Sequence, residues 1–185
     1  MELTQSLVEA NAEEYEAREP LYAVEQEHVH IVPETVQSGE YGWRDVEWVV
    51  QWYYRRYLGA YPGDERRVGE EAFRNNDFGD VVDTLTVVAE SGDAAEKLRR
   101  LTDLEGVDVP VGSAFLLFLF PERYVVVGER EWGVLHEAGE LAEPYPDPPS
   151  VEEYLTYDQA CQDLTGQFGV DAWTLYRALW RLGSE

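Results

Sequence analysis

From Val109 to Phe120 the chain is apolar on nearly every side that a helix or a strand could present. Such a segment is unfavourable wherever it meets water, so other elements must surround it and it belongs in the middle of the fold. Pro121 ends it, because proline lacks the N–H that would continue a helix or a ladder. Its unbroken apolar run, Ala114 to Phe120, is seven residues long. A helix that crosses a bilayer needs ~20, so this is core and no membrane partner is expected.

The rest of the chain is strongly acidic, with 38 Asp and Glu against 14 Lys and Arg and a formal net charge of -24. The acid is spread along the whole length, and the only lysine is Lys97. Self-repulsion disfavours a compact state at low ionic strength, while salt at ~1 M shrinks the Debye length to about 3 Å. This is the surface expected of a halophilic protein, and it reports the solvent rather than excluding a nucleic-acid partner. Cys161 is the sole cysteine, which rules out an intramolecular disulfide or a thiolate pair for a metal. Met1-Glu2-Leu3-Thr4 leads into acidic residues rather than the basic region of a secretion signal. The expected compartment is the cytoplasm.

Periodicity predicts a mainly α fold. Residues 1–19 read as a helix or an arm ordered by docking, and Glu19 to Gly42 as extended or irregular backbone with a short strand near His28-Val29-His30. Residues 1–42 are therefore expected to form an N-terminal arm or wrapping segment, and 43–185 the helical domain. Val46, Val49, Val50, Tyr53 and Tyr57 mark one helix, with Trp48 and Trp52 on a second stripe. Further helices are predicted from about Glu65 to Asn75, from a cap at Asn76 or Asp77 with Phe78, Val81, Val82, Leu85 and Val88 on one face, and from Asp93 to Leu104. The last of these is expected to bury Leu98 and Leu101 while displaying Lys97, Arg99 and Arg100. Tyr124 to Val127 is locally β-like, Glu129 to Glu137 can form a short helix, and a proline-rich linker runs from Glu140 to Pro149. A capping box at Ser150 and Glu153 opens helices to Gln167 and from Asp171 to Arg181.

The most informative stretch begins at Leu104-Glu105-Gly106-Val107-Asp108, where one helix stops and the buried segment starts at once. Gly106 permits backbone angles that other residues resist, and the next helix opens with unpaired N–H groups suited to phosphate. Together with Val111 to Phe120 and Val126-Val127-Gly128-Glu129-Arg130-Glu131-Trp132, this order resembles the helix-hairpin-helix DNA glycosylases of base-excision repair, including the 8-oxoguanine type. The resemblance covers Leu104 to Trp132. It implies a two-lobed helical domain, with nucleic acid as the expected partner.

The same resemblance places the family's catalytic lysine at Pro110 and its catalytic aspartate at Gly128, so the standard pair is absent. Glu129, one residue on, is the remaining candidate for a catalytic carboxylate. Asp108 stands where the hairpin's second glycine would be; it tolerates left-handed backbone better than most residues but sets a carboxylate where phosphate approaches, which a monovalent cation at the hairpin would offset. Candidate nucleic-acid contacts are the backbone at Gly106, Val107 and Val109 with Arg99, Arg100, Arg123 and Arg130. Trp48, Trp52 and Trp132 are candidates to line the cleft, although such stripes are more often core. His28 and His30 lack a third ligand nearby, so neither a metal nor another cofactor is expected. Cys161 reads as a packing residue.

Two functions from different classes follow. One is a glycosylase-like protein that binds nucleic acid or a nucleotide-like ligand without the standard chemistry. The other is a non-enzymatic helical interaction module for a protein partner, in which Gly106 is merely a helix C-cap and Pro110 a first-turn proline.

Overall fold

The computed structural model describes residues 1–184. Among them lie ten helices and no strand: α1 (Gln5–Arg18), α2 (Tyr22–Ser38), α3 (Trp43–Arg55), α4 (Gly63–Phe73), α5 (Phe78–Glu90), α6 (Ala94–Thr102), α7 (Val109–Leu119), α8 (Glu129–Ala138), α9 (Val151–Phe168) and α10 (Ala172–Leu182). The mainly α expectation holds. None of these helices is long and apolar enough to cross a membrane.

Every residue of α7 is buried, as its all-round apolarity requires. It packs against α2, α3 and α6, while α10 packs against α1, α8 and α9. α1 is anchored on α10 by Tyr15, whose ring meets Trp173 and Tyr176 edge-on with centroids 6.2 and 5.9 Å apart. Arg177 pairs with Glu16, and Arg181 with Glu14 and Glu19, along the same seam.

The extended backbone expected before Gly42 is instead the seventeen-residue helix α2. Its inner face uses Glu25 and Val29, and the Glu25 carboxylate accepts hydrogen bonds from Tyr15 Oη and Trp52 Nε1, both at 2.7 Å. His28 and His30 accordingly share no strand face: His28 stacks on Trp48 with ring centroids 3.5 Å apart, and the His30 ring bonds the Gln26 carbonyl. Lys97 also departs from expectation. It is buried, donates to the Val88 carbonyl at 2.5 Å and lies 3.9 Å from the centre of the Phe120 ring.

Tyr124 to Val127 is buried without regular secondary structure, and it pairs with no strand. Side chains satisfy its backbone instead. Tyr154 Oη and Tyr157 Oη on α9 donate to the Val125 and Val126 carbonyls at 3.3 and 2.9 Å, and Val127 N donates to Ser113 Oγ at 2.9 Å. Buried backbone polar groups need partners, and here two phenols and a hydroxyl supply them.

Candidate functional site

The hairpin between α6 and α7 has Gly106 at φ +76°. A Cβ there would stand 2.5 Å from Gly69 O and 2.5 Å from Phe73 N, so the turn is pressed against the backbone of α4. Val107 and Val109 are 5% and 8% exposed. Asp108 adopts extended backbone, not the left-handed region, and its Oδ1 accepts from Val111 N at 3.0 Å. The chain's own carboxylate thus holds the helix N-terminus where a phosphate would bind.

Beside the hairpin opens a cleft of about 390 Å³. Three helix N-termini meet it: α4 contributes Glu65, α7 is preceded by Asp108 and contributes Pro110, and α8 contributes Glu129 and Arg130. Tyr53 and Tyr57, from α3 and the turn after it, line it with Tyr61, while Tyr145 and Asp147 close it from the proline-rich linker. Acidic residues at helix N-termini are favourable to the helix dipoles, but they also make the cleft negative. Burial, followed by Glu65 and Asp108, pushes the Tyr61 phenol up to about 12, and burial raises the Asp108 carboxyl.

Behind the tyrosines lies an ion pair between Arg56, 2% exposed, and the fully buried Glu131. The Arg56 guanidinium sits 4.6 to 5.9 Å from the ring centres of Tyr53, Trp180, Tyr57, Trp52 and Tyr176. Burial opposes its charge, but Glu131 together with the Tyr57, Tyr176 and Tyr53 phenols outweighs that opposition, so the guanidinium stays protonated. Gly128, the N-cap of α8, adjoins this pair. A Cβ on it would be 2.6 Å from Arg56 Nη2, 2.7 Å from Glu131 Oε2 and 2.9 Å from Tyr57 Oη.

The sequence-predicted residues do not all converge. Glu129 and Arg130 line the cleft. Arg99 pairs with Glu152 at 3.5 Å, Arg100 is exposed on the same helix, and Arg123 grips Asp158 through its two terminal guanidinium nitrogens at 2.8 and 2.9 Å. Trp52 is committed to Glu25 and Trp48 to His28. Trp132 stacks on Tyr157 and donates to the Glu143 carbonyl at 2.9 Å. The aromatic walls are tyrosines instead. Tyr53 and Tyr57 were visible in the aromatic run of α3, whereas nothing in the linker sequence marks Tyr145 and Asp147 as reaching the cleft.

Cys161 is fully buried, and burial pushes its thiol up, as a packing role requires. Comparison with known proteins finds no matching family model, no matching curated protein and no matching solved structure.

Proposed function

We propose that this protein is a two-lobed, helix-hairpin-helix glycosylase-like fold that binds nucleic acid or a nucleotide-like ligand in the cleft beside the hairpin, without the family's catalytic pair. The observation that carries this reading is where the two substituted catalytic positions fall. Pro110 lines the cleft, and Gly128 lies immediately before Glu129 and beside the Tyr57 hydroxyl. The hollow in which the family does its chemistry would be kept while its amine and carboxylate are gone. A pocket of this size suits one flattened ring between phenol walls.

The phosphate grip differs from the one the sequence suggested. Since Asp108 already caps α7, the first turn of α8, which has no side-chain cap, and Arg130 are the groups left to meet a phosphate. Glu129 is the one residue of that turn placed to act on a bound base, so excision through it is the minority form of the same proposal. A cation held among Asp108, Glu129 and Asp147 would relieve their repulsion of the phosphate. The setting we propose is a cytoplasm of concentrated salt.

One observation favours the second reading. Gly106 is committed to α4 and Asp108 to the α7 cap, so the hairpin works as a helix connector whether or not anything binds. A protein partner would then dock elsewhere.

The deciding experiment is fluorescence anisotropy of labelled duplexes, intact and with an abasic-site analogue, in molar potassium chloride. Wild-type protein is compared with Arg130→Glu and Tyr61→Ala, each checked for folding by circular dichroism. Saturable binding weakened by both changes supports the cleft. Failure of folded wild-type protein to bind either duplex removes this reading and leaves the interaction module. Gly106→Glu is no test of phosphate contact, because its side chain would displace α4.

A further inference from the structure

A second groove, of about 590 Å³, shares no residue with the cleft. It lies between α2, the residues that follow α7 and the start of α10, and Pro33, Phe120, Pro121 and Trp173 form its floor. The walls are fixed before anything binds. Trp173 Nε1 donates to Gln26 Oε1 at 2.9 Å, which ties α10 to α2, and Trp173 N donates to the Pro121 carbonyl at 2.9 Å, which ties α10 to the residues after α7. A preformed groove takes a ligand at little ordering cost. Its volume falls in the range of about 300–1,000 Å³ usual for concave binding sites.

The polar groups around this floor are short of donors. Glu34, Glu122 and Asp171 are exposed, one on each of the three bordering segments, and none has an ion-pair partner among the described residues. The groove's arginine, Arg123, is spent on Asp158. Pro33 sits inside α2 and has no N–H, so the Val29 carbonyl, on the same stripe of the helix, loses the donor that α2 would otherwise give it. His30 Nδ1 bonds the Gln26 carbonyl, which can only accept, so in the neutral ring Nε2 is an acceptor as well. Carboxylates scattered over an acidic surface report the solvent. Here three of them, with a backbone carbonyl and an imidazole nitrogen, surround an apolar floor.

We infer that this groove docks a protein partner through a short segment in which an apolar side chain is flanked by arginine or lysine. The apolar anchor lies against Pro33, Phe120 and Pro121, the half-buried members of the floor. The flanking cations meet Glu34, Glu122 and Asp171, and a donor of the segment reaches the Val29 carbonyl. A small amine could meet one of these carboxylates, whereas a chain with donors on both sides of its anchor can meet all three segments. At ~1 M salt the Debye length is about 3 Å, so opposite charges act only at contact. The anchor then supplies the affinity, and the acidic rim selects the partner by rejecting acidic segments. This docking needs nothing of the cleft and stands whether or not nucleic acid binds there.

Full-length protein in molar potassium chloride is used to select from a random dodecapeptide library, with Pro33→Arg as the counter-selection. The arginine fills the groove and sets a cation on its floor, while loss of a proline from inside a helix favours folding, which circular dichroism checks. Enriched peptides are labelled and titrated by fluorescence anisotropy. An apolar residue between arginines or lysines is the expected pattern, with binding lost in Pro33→Arg and weakened roughly threefold to tenfold in the combined Glu34→Arg, Glu122→Arg variant. Exchanging the peptide's basic residues for glutamate should reverse the order, so that the combined variant binds the exchanged peptide more tightly than wild type does. Enriched peptides that are acidic or uncharged, binding that survives Pro33→Arg, or no enrichment by folded wild-type protein overturns the assignment. Octylamine is titrated alongside: if Pro33→Arg abolishes its binding and no peptide is enriched, the groove takes a small amine and docking of a protein is overturned.

Discussion

Glu25 is a carboxylate where the packing of α2 asks for an apolar residue. It is fully buried, and burial raises its carboxyl above the ordinary 4.5 although Trp52 and Tyr15 donate to it and partly oppose the rise. A folded-state pKa above the unfolded one means the protonated form favours folding. That contribution is complete below about pH 4.5 and is lost as pH rises through the folded value. In Glu25→Gln the amide oxygen can accept from Trp52 Nε1 and the amide nitrogen can donate to Tyr15 Oη, with nothing to titrate. Urea unfolding at fixed potassium chloride should therefore show Glu25→Gln gaining on wild type between pH 4.5 and 7, by about 1.4 kcal/mol for each unit of the shift. A difference that stays flat across that range would mean Glu25 is solvated in the folded state. Glu25→Ala should instead lose roughly 2–5 kcal/mol, since it strands two buried donors.

Gly106 is the residue where reading the sequence and observing the fold agree on conformation and part on purpose. The left-handed turn was legible because few residues besides glycine adopt it, and φ is +76°. What lay against the turn was not legible, since Gly69 and Phe73 are more than thirty residues away along the chain. Gly106→Ala combines left-handed strain with overlap onto α4 backbone. It should destabilise by about 3 kcal/mol or more, measured by urea midpoint at unchanged slope.

At the scale of elements, the helices most legible in sequence were those whose inward stripe is apolar, such as α5 with Val81, Leu85 and Val88 buried. α2 escaped for a physical reason. Its stripe is Tyr22, Glu25, Val29, Val32 and Val36, spaced for a helix, but the second member is a charged residue and Pro33 interrupts the turn. The apparent alternation at His28-Val29-His30 then imitates a strand. The site suffered from the same limit. Glu129 and Arg130 were found because they follow the hairpin in sequence, whereas Tyr145 and Asp147 reach the cleft through a linker with no periodicity to read.

The segment from Tyr124 to Val127 was read as β-like from its residues, but it pairs with no strand, and side chains of α7 and α9 bond its backbone instead. Tyr157→Phe keeps the ring stacked on Trp132 while leaving the Val126 carbonyl without its 2.9 Å donor. Its expected loss is about 1–3 kcal/mol. Tyr154→Phe removes the longer 3.3 Å bond to Val125 and should lose less. If the two variants unfold at the wild-type urea midpoint, the segment is held by packing alone.

For the whole molecule, the proposed nucleic-acid binding poses the question of how a chain of net charge -24 would meet a polyanion. Ordinary nucleic-acid binders release condensed cations, and log K falls with log salt by about 0.9 per phosphate neutralised. Here the arginines that would displace those cations are largely committed within the chain, Arg123 to Asp158, Arg99 to Glu152, Arg74 to Glu47, and Arg177 and Arg181 to α1 and the residue after it. Glu129, Asp108 and Asp147 at the cleft repel phosphate unless cations sit between them. Binding should then take up potassium rather than release it, and affinity for the labelled duplex should hold or rise from 0.5 to 2 M potassium chloride (about a fourfold range, where ordinary binders lose affinity steeply). Circular dichroism over the same range separates this from folding, which salt should also stabilise by screening self-repulsion. A steep fall in affinity with salt, at constant helicity, would show that uncommitted basic groups make the contact after all. Arg130 and Arg100 would be the first to replace, because a residue that neutralises one phosphate should flatten the slope by about one unit when removed.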